Sequence, residues 1–155
     1  MRRLELVPLL LLLASLLTAA PQATAKPSPE EEAVKREAVQ KLMSFAALAT
    51  SNKVGTKAKI AYDMVLSQYD ENHASSRAAL GFKKVANEWK ETPPAKVWKD
   101  TATDEQRFRT MTEWAKLCKD LARIHRNRGQ KVLDSEPVSG VFHLRRAVYF
   151  DPFDK

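Results

Sequence analysis

The segment Thr103–Gly129 constrains the fold more than any other. Thr103-Asp104-Glu105-Gln106 has the spacing of a capping box, in which the first and fourth side chains satisfy each other's backbone N–H groups. Behind it Phe108, Met111, Trp114, Ala115, Cys118, Leu121, Ala122 and His125 recur at intervals of three and four. Leu117 and Ile124 widen the stripe. That period belongs to an α-helix with one apolar face. Lys119, Arg123, Arg126 and Arg128 fall late, where cations suit the helix dipole, and Gly129 reads as the stop. A stripe of this length is unstable in water, so other elements must cover it.

The covering elements are legible upstream. Ser28 and Glu31 have capping-box spacing, Pro29 suits a first helical turn, and Glu30, Glu31 and Glu32 read as a solvated, dipole-favoured start. Val34, Ala38, Leu42, Phe45 and Ala49 form one stripe, and Ser51–Gly55 breaks it. Ala58, Ala61, Tyr62, Val65, Leu66 and Tyr69 form a second stripe, and the short connection through Gly55 predicts an antiparallel pair. Asp70-Glu71-Asn72 stops that helix, and His73–Leu80 reads as a short third helix ending on Gly81. The period then changes. Phe82, Val85 and Trp89 alternate with polar residues around a possible turn at Ala86-Asn87-Glu88, which predicts a small hairpin near 82–90 folded back as a cover, with Trp89 plugging the open end of the helical layer. Pro93-Pro94 makes 91–102 a connector. Val141, Leu144, Ala147 and Val148 predict a last helix that ends at Asp151-Pro152. Four glycines are too few for a fold of many tight turns. The expected class is therefore mostly α: antiparallel helix pairs with a small hairpin.

The first 25 residues read differently. Arg2 and Arg3 precede the apolar run Leu6–Ala20, and Ala23-Thr24-Ala25 has the small-x-small form of a cleavage site. This is the pattern of a secretory signal peptide, too short and too interrupted by Pro8 for a spanning helix of roughly 20 residues. The expectation is export to the periplasm or the outside, with cleavage near Ala25. The mature chain, 26–155, is then one helical domain: a helix-pair unit at about 28–81, a hairpin and connector at about 82–102, and a second helical unit at about 103–155. It carries 24 basic and 18 acidic side chains, a net +6. Its one cysteine, Cys118, leaves no intrachain disulfide, so packing alone must stabilise it.

Two resemblances follow from these segments. Leu42–Asp70 and Ile124–Pro152 align with each other at an offset of 82 residues, with Ala58 matching Gly140, Tyr62 Leu144, Val65 Ala147 and Asp70 Pro152. The pattern resembles a degenerate tetratricopeptide repeat. Leu42, Phe45, Ala46, Ala49, Ala58, Tyr62 and Val65 stand at its packing positions in the first unit, and Ala147 with Asp151-Pro152 in the second. The exit proline is absent from the first unit and the second has a longer loop. His73, Arg77, Leu80, Gly81, Phe82 and Trp89 are similar to a pattern in exported bacterial proteins, in which a repeat-like helix pair leads into a Trp-bearing turn. That resemblance implies a structural module and no catalytic residue. A repeat helix pair needs stacked neighbours to bury its apolar face, which implies a partner.

Candidate chemistry is sparse. His73, His125 and His143 stand at no metal-ligand spacing, and no phosphate loop or nucleophile motif is present. No cofactor is expected. Cys118 and His125 share a helix face and are the one conceivable nucleophile pair, but a cysteine on an apolar stripe more often packs as a core residue. Lys116, Lys119, Arg123, Arg126, Arg128 and Lys131, against Asp120, make a basic run that would attract an anionic polymer or lipid; nucleic acid is an improbable partner outside the cell. Three functions remain open: a non-enzymatic scaffold that docks a protein partner, a cationic envelope protein acting through Lys116–Lys131, and a fragment or regulatory part of a larger enzyme.

Overall fold

The computed structural model describes residues 27–93 and 97–152. The leader with its cleavage site, and Phe153, lie outside the described residues. The elements run α1 (Pro29–Ser51), α2 (Gly55–Gln68), α3 (Ala74–Leu80), β1 (Phe82–Val85), β2 (Glu88–Glu91), α4 (Asp104–Val132) and α5 (Pro137–Phe150). The fold is mostly helical with one two-stranded antiparallel sheet, as the periodicity predicts.

The caps explain the helix starts. Ser28 Oγ accepts from the Glu31 amide at 3.2 Å. The reciprocal half of that box does not form, because the Glu31 carboxylate is used elsewhere. At α4 both halves form: Thr103 Oγ accepts from the Gln106 amide, and Gln106 Oε1 accepts from the Thr103 amide at 2.9 Å. Helix α2 is capped from outside. Val54 offers no side-chain acceptor, so Asp100 of the connector accepts from the Thr56 amide at 2.9 Å and from the Thr56 hydroxyl at 2.6 Å. These bonds hold the Asp100 carboxyl below its ordinary range. The connector passes so close that a Cβ on Gly55 would stand 2.6 Å from the Lys99 carbonyl oxygen. Gly55 is therefore required by this crossing, while Lys53, at φ 59°, makes the turn itself. Asp100→Ala is expected to cost about 1 kcal/mol, the typical worth of an N-cap, measured as a shift in the urea midpoint.

The core lies where α1, α2 and α4 meet. Ala38, Leu42, Phe45, Ala46 and Ala49 face Ala58, Ala61 and Val65, with Leu117, Leu121, Ala122 and Ile124 from α4. The alanines let the helix axes approach closely, and the larger side chains fill the space between them. Trp114 packs on Phe45 with ring centres 5.1 Å apart, and Trp98 on Tyr62 at 6.0 Å. Asn52, at the end of α1, donates to Thr110 Oγ of α4 at 3.0 Å inside this layer.

Two stripes are rotated from the predicted ones, and one helix end is displaced. On α4, Leu117 and Ile124 are buried as expected, but Phe108, Met111 and Ala115 are exposed and the polar Thr110 and Arg128 are buried in their place. On α5 the inner face is Gly140, His143, Ala147 and Phe150, and Val141 and Val148 point outward. Gly129 does not stop α4, which continues to Val132. It lies at the α4–α5 crossing, where a Cβ would stand 2.8 Å from Leu144 Cγ. The cause is shared: buried polar residues and contact glycines are invisible to a count of apolar side chains.

The hairpin forms with Lys83 opposite Lys90 and Lys84 opposite Trp89. Ala86 and Asn87 both have positive φ, 48° and 69°, the geometry of a type I′ turn. Its strands are mostly exposed, and it leans on α3. Trp89 accordingly does not plug the helical layer; Trp98 packs against the core instead.

Candidate functional site

Four helices converge on one buried polar chain. His125 of α4 and His143 of α5 are each 1% exposed, and their Nδ1 atoms stand 2.8 Å apart. The rings stack with centres at 5.1 Å. On one side, His125 Nε2 meets the hydroxyl of Tyr69, the cap residue of α2, at 3.0 Å. On the other, His143 Nε2 meets Glu31 Oε2 of α1 at 3.0 Å. The helix repeat puts each residue here for a local reason. His143 and Ala147 are one turn apart on the inner face of α5, and His125 and Gly129 are one turn apart on the face of α4 that meets it.

The ends of the chain are charged. Arg146 lies 4.6 Å from the Tyr69 ring centre and donates to Gln68 Oε1 at 2.6 Å and to the Gln68 carbonyl at 3.3 Å. Glu31 lies 3.8 Å from Arg128 Nε. Arg128 is itself 6% exposed; it donates to Glu30, donates to Ser28 Oγ at 3.3 Å, and faces Glu136 at 3.8 Å. Its Nε has no hydrogen-bond partner. Lys131 adds a 2.7 Å contact to Glu30, and this bond draws the Glu30 carboxyl below its ordinary value. Glu30 and Glu32 are exposed, as a solvated start predicts, but the run also has a structural role. Glu30 and Glu31 fasten α1 to α4 and α5.

Two nitrogens 2.8 Å apart can share only one proton, so the two imidazoles must differ in tautomer. The charged ends fix which is which. An ionised Glu31 only accepts, so His143 carries its proton on Nε2 and accepts at Nδ1. His125 then donates from Nδ1 and accepts at Nε2 from the Tyr69 hydroxyl. At the opposite end the Arg146 guanidinium lies over the Tyr69 ring. Every bond in the chain points from Tyr69 toward Glu31. Burial, then Arg146, then His143 depress His125 from 6.5 to about 3, so it is neutral. Burial pushes the Tyr69 hydroxyl up to about 12, against the smaller pull of Arg146. A phenol so reluctant to ionise is no nucleophile near neutral pH, and the array connects α1, the end of α2, α4 and α5.

The other singled-out residues are placed as follows. His73 caps α3, its Nδ1 lying 2.9 Å from Ser76 Oγ and 3.3 Å from the Ser76 amide. Arg77 donates from Nε to the Glu71 carbonyl at 2.9 Å and lies 5.4 Å from the Phe82 ring centre and 6.0 Å from that of Trp89. Gly81 is the left-handed cap, φ 98°. The motif is one structural corner joining α3 to the hairpin. Cys118 is half-buried and its thiol is pushed up, first by burial. His125, taken by Tyr69 and His143, is not its base. The basic run does not share one outward face. Arg128 is turned inward, Lys116 meets Glu113 at 2.7 Å, Arg123 meets Asp120 at 3.1 Å, and Lys131 meets Glu30. Lys119 is exposed and Arg126 half-buried.

Among the described residues no group of three or more His, Cys, Asp or Glu is arranged to hold a metal ion, and no helix is long and apolar enough to cross a membrane. The His pair was missed in the sequence because its members are 18 residues apart on different helices. One signal was present: each falls among small residues at helical spacing, His125 with Ala122 and Gly129, His143 with Gly140 and Ala147. No protein-family model, curated protein or solved structure matches this chain.

Proposed function

We propose that this chain is an exported, non-catalytic helical scaffold that docks a protein partner, built from two degenerate tetratricopeptide-like helix pairs, α1–α2 and α4–α5. The observation that carries the reading is the outer face of α5. Val138 is 88% exposed and Tyr149 71%, and Val141, Phe142 and Val148 are exposed beside them. These residues recur at three, four and seven, so α5 is apolar on both sides, and a second apolar stripe at that spacing accepts a partner helix by ridge-into-groove packing. The charged leader start, its apolar run and Ala23-Thr24-Ala25 support export.

A photo-reactive residue at position 148, used under envelope-like conditions, is expected to cross-link a partner that the same residue at position 83 on the hairpin does not. Val138→Glu with Val148→Glu should cut that yield about tenfold, equivalent to about 1.4 kcal/mol of binding, with unchanged circular dichroism. Equal yields from both positions, or a yield indifferent to the two glutamates, would refute the docking face. Binding of an anionic polymer or lipid through Lys116–Lys131 has less support, since Arg128 faces inward and Lys116, Arg123 and Lys131 already face carboxylates.

A further inference from the structure

We propose that the Tyr69–His125–His143–Glu31 chain is a one-proton switch: on taking up a proton it reverses the direction of each bond between Tyr69 and His143. The inference stands apart from the docking reading, because it uses only the inner face of α5.

The proton count can be followed atom by atom. A cavity of about 100 Å³ adjoins the chain and is lined by Glu31, Lys35, Tyr69, His125, His143 and Arg146 among others. That is room for a few waters. A hydronium there gives its proton to the Tyr69 oxygen. The original Tyr69 proton passes to His125 Nε2, and the His125 Nδ1 proton passes to His143 Nδ1. No ring turns over and no heavy atom needs to move. His143 ends doubly protonated, His125 ends with its proton on Nε2, and Tyr69 now accepts from His125 while its own hydroxyl proton faces the cavity.

The surroundings decide where the charge rests. Glu31 of α1 lies 3.0 Å from His143 and favours a cation there. Glu30 of α1 and Glu136 at the start of α5 lie farther along and are engaged with Arg128 and Lys131 of α4. Lys35 of α1 lines the cavity and opposes any added charge. His125 has the worse place, between the Tyr69 hydroxyl at the end of α2 and the cationic influence of Arg146 of α5. The capacity is one proton. A second, on His125, would set N–H against N–H across 2.8 Å between two buried rings.

The test uses the full chain, ¹⁵N-labelled, with long-range proton–nitrogen correlations that report the tautomer of each histidine between about pH 8 and about pH 4.5. At the upper limit His125 is expected as the Nδ1–H tautomer, the minor one in water, and His143 as Nε2–H. On acidification His143 becomes doubly protonated and His125 changes to Nε2–H at the same midpoint. An Nε2–H His125 at the upper limit overturns the proposal. So does a His143 that charges while His125 keeps its Nδ1 proton, or a pair unchanged until circular dichroism reports unfolding. Glu31→Gln keeps the shape and removes the charge that holds the proton, so the shared midpoint should fall by about one pH unit or more, a tenfold loss of proton affinity. An unmoved midpoint in that variant, with the fold intact, counts equally against it.

Discussion

Acidification from about pH 6.5 to about pH 3 is expected to remove roughly 5 kcal/mol of folding free energy through His125 alone. The sign follows from the depressed value. Burial first, then Arg146 and His143, hold the folded imidazole neutral, whereas the unfolded one takes a proton near 6.5. Below that point the unfolded chain binds more protons than the folded one. The stabilisation is complete above 6.5 and is lost progressively as the pH falls toward about 3. A domain of this size has about 5–15 kcal/mol in all, so this single group can decide whether the fold survives acid. Urea midpoints measured along a pH series should fall steeply across that window. His125→Leu should flatten the slope, and should also weaken the protein at neutral pH by stranding the Tyr69 hydroxyl and His143 Nδ1. A wild-type profile flat across the window would show that the imidazole is not held neutral. The same steepness bears on the proposed switch: the pair accepts its first proton at the Glu31 end, and the second is the one the fold resists.

Gly140→Val is expected to destabilise by about 2–3 kcal/mol. Glycine inside a helix ordinarily costs about 1 kcal/mol relative to alanine, so filling the position with a side chain should help if space allowed. Space does not allow it. A Cβ there would stand 2.7 Å from Leu133 Cα and 3.1 Å from Leu133 N, and backbone atoms cannot rotate away as a side chain can. Either the α4–α5 turn opens or α5 slides along α4. Both movements pull His143 off His125, so the thermal midpoint should drop and the histidine tautomers should lose their fixed order together. Gly129→Ala should be milder, because its nearest obstacle is the Leu144 side chain rather than backbone, although the Gly140 carbonyl oxygen at 3.0 Å limits the relief. A Gly140→Val protein as stable as wild type would mean that the helices do not cross this closely.

Much of the framework was legible residue by residue. Ser28, Thr103 and Gly81 mark helix ends through local chemistry, and local chemistry survives folding. The hairpin was readable because Phe82, Val85 and Trp89 change the period. The rotations of α4 and α5 were not legible, because Thr110, Arg128 and His143 are polar side chains that the fold buries against polar partners. Apolar periodicity ignores such pairs. Glycines mislead for a related reason: Gly129 has the composition of a stop, yet its lack of a side chain is used to let two helices touch. The relay itself depends on four residues drawn from four segments, and no spacing along one helix announces it.

Glu31 and His143 are 112 positions apart, yet they are bonded. A chain made in N-to-C order must wait until α5 emerges before these two can meet. Until then α1 and α2 stand as a pair with a carboxylate and a phenol pointing at nothing, and the closing step is a rendezvous of α1 with α5. Closure over so long a loop is slow compared with a helix pair zipping locally. The interval between those two events is when the molecule is most open to chaperones and proteases.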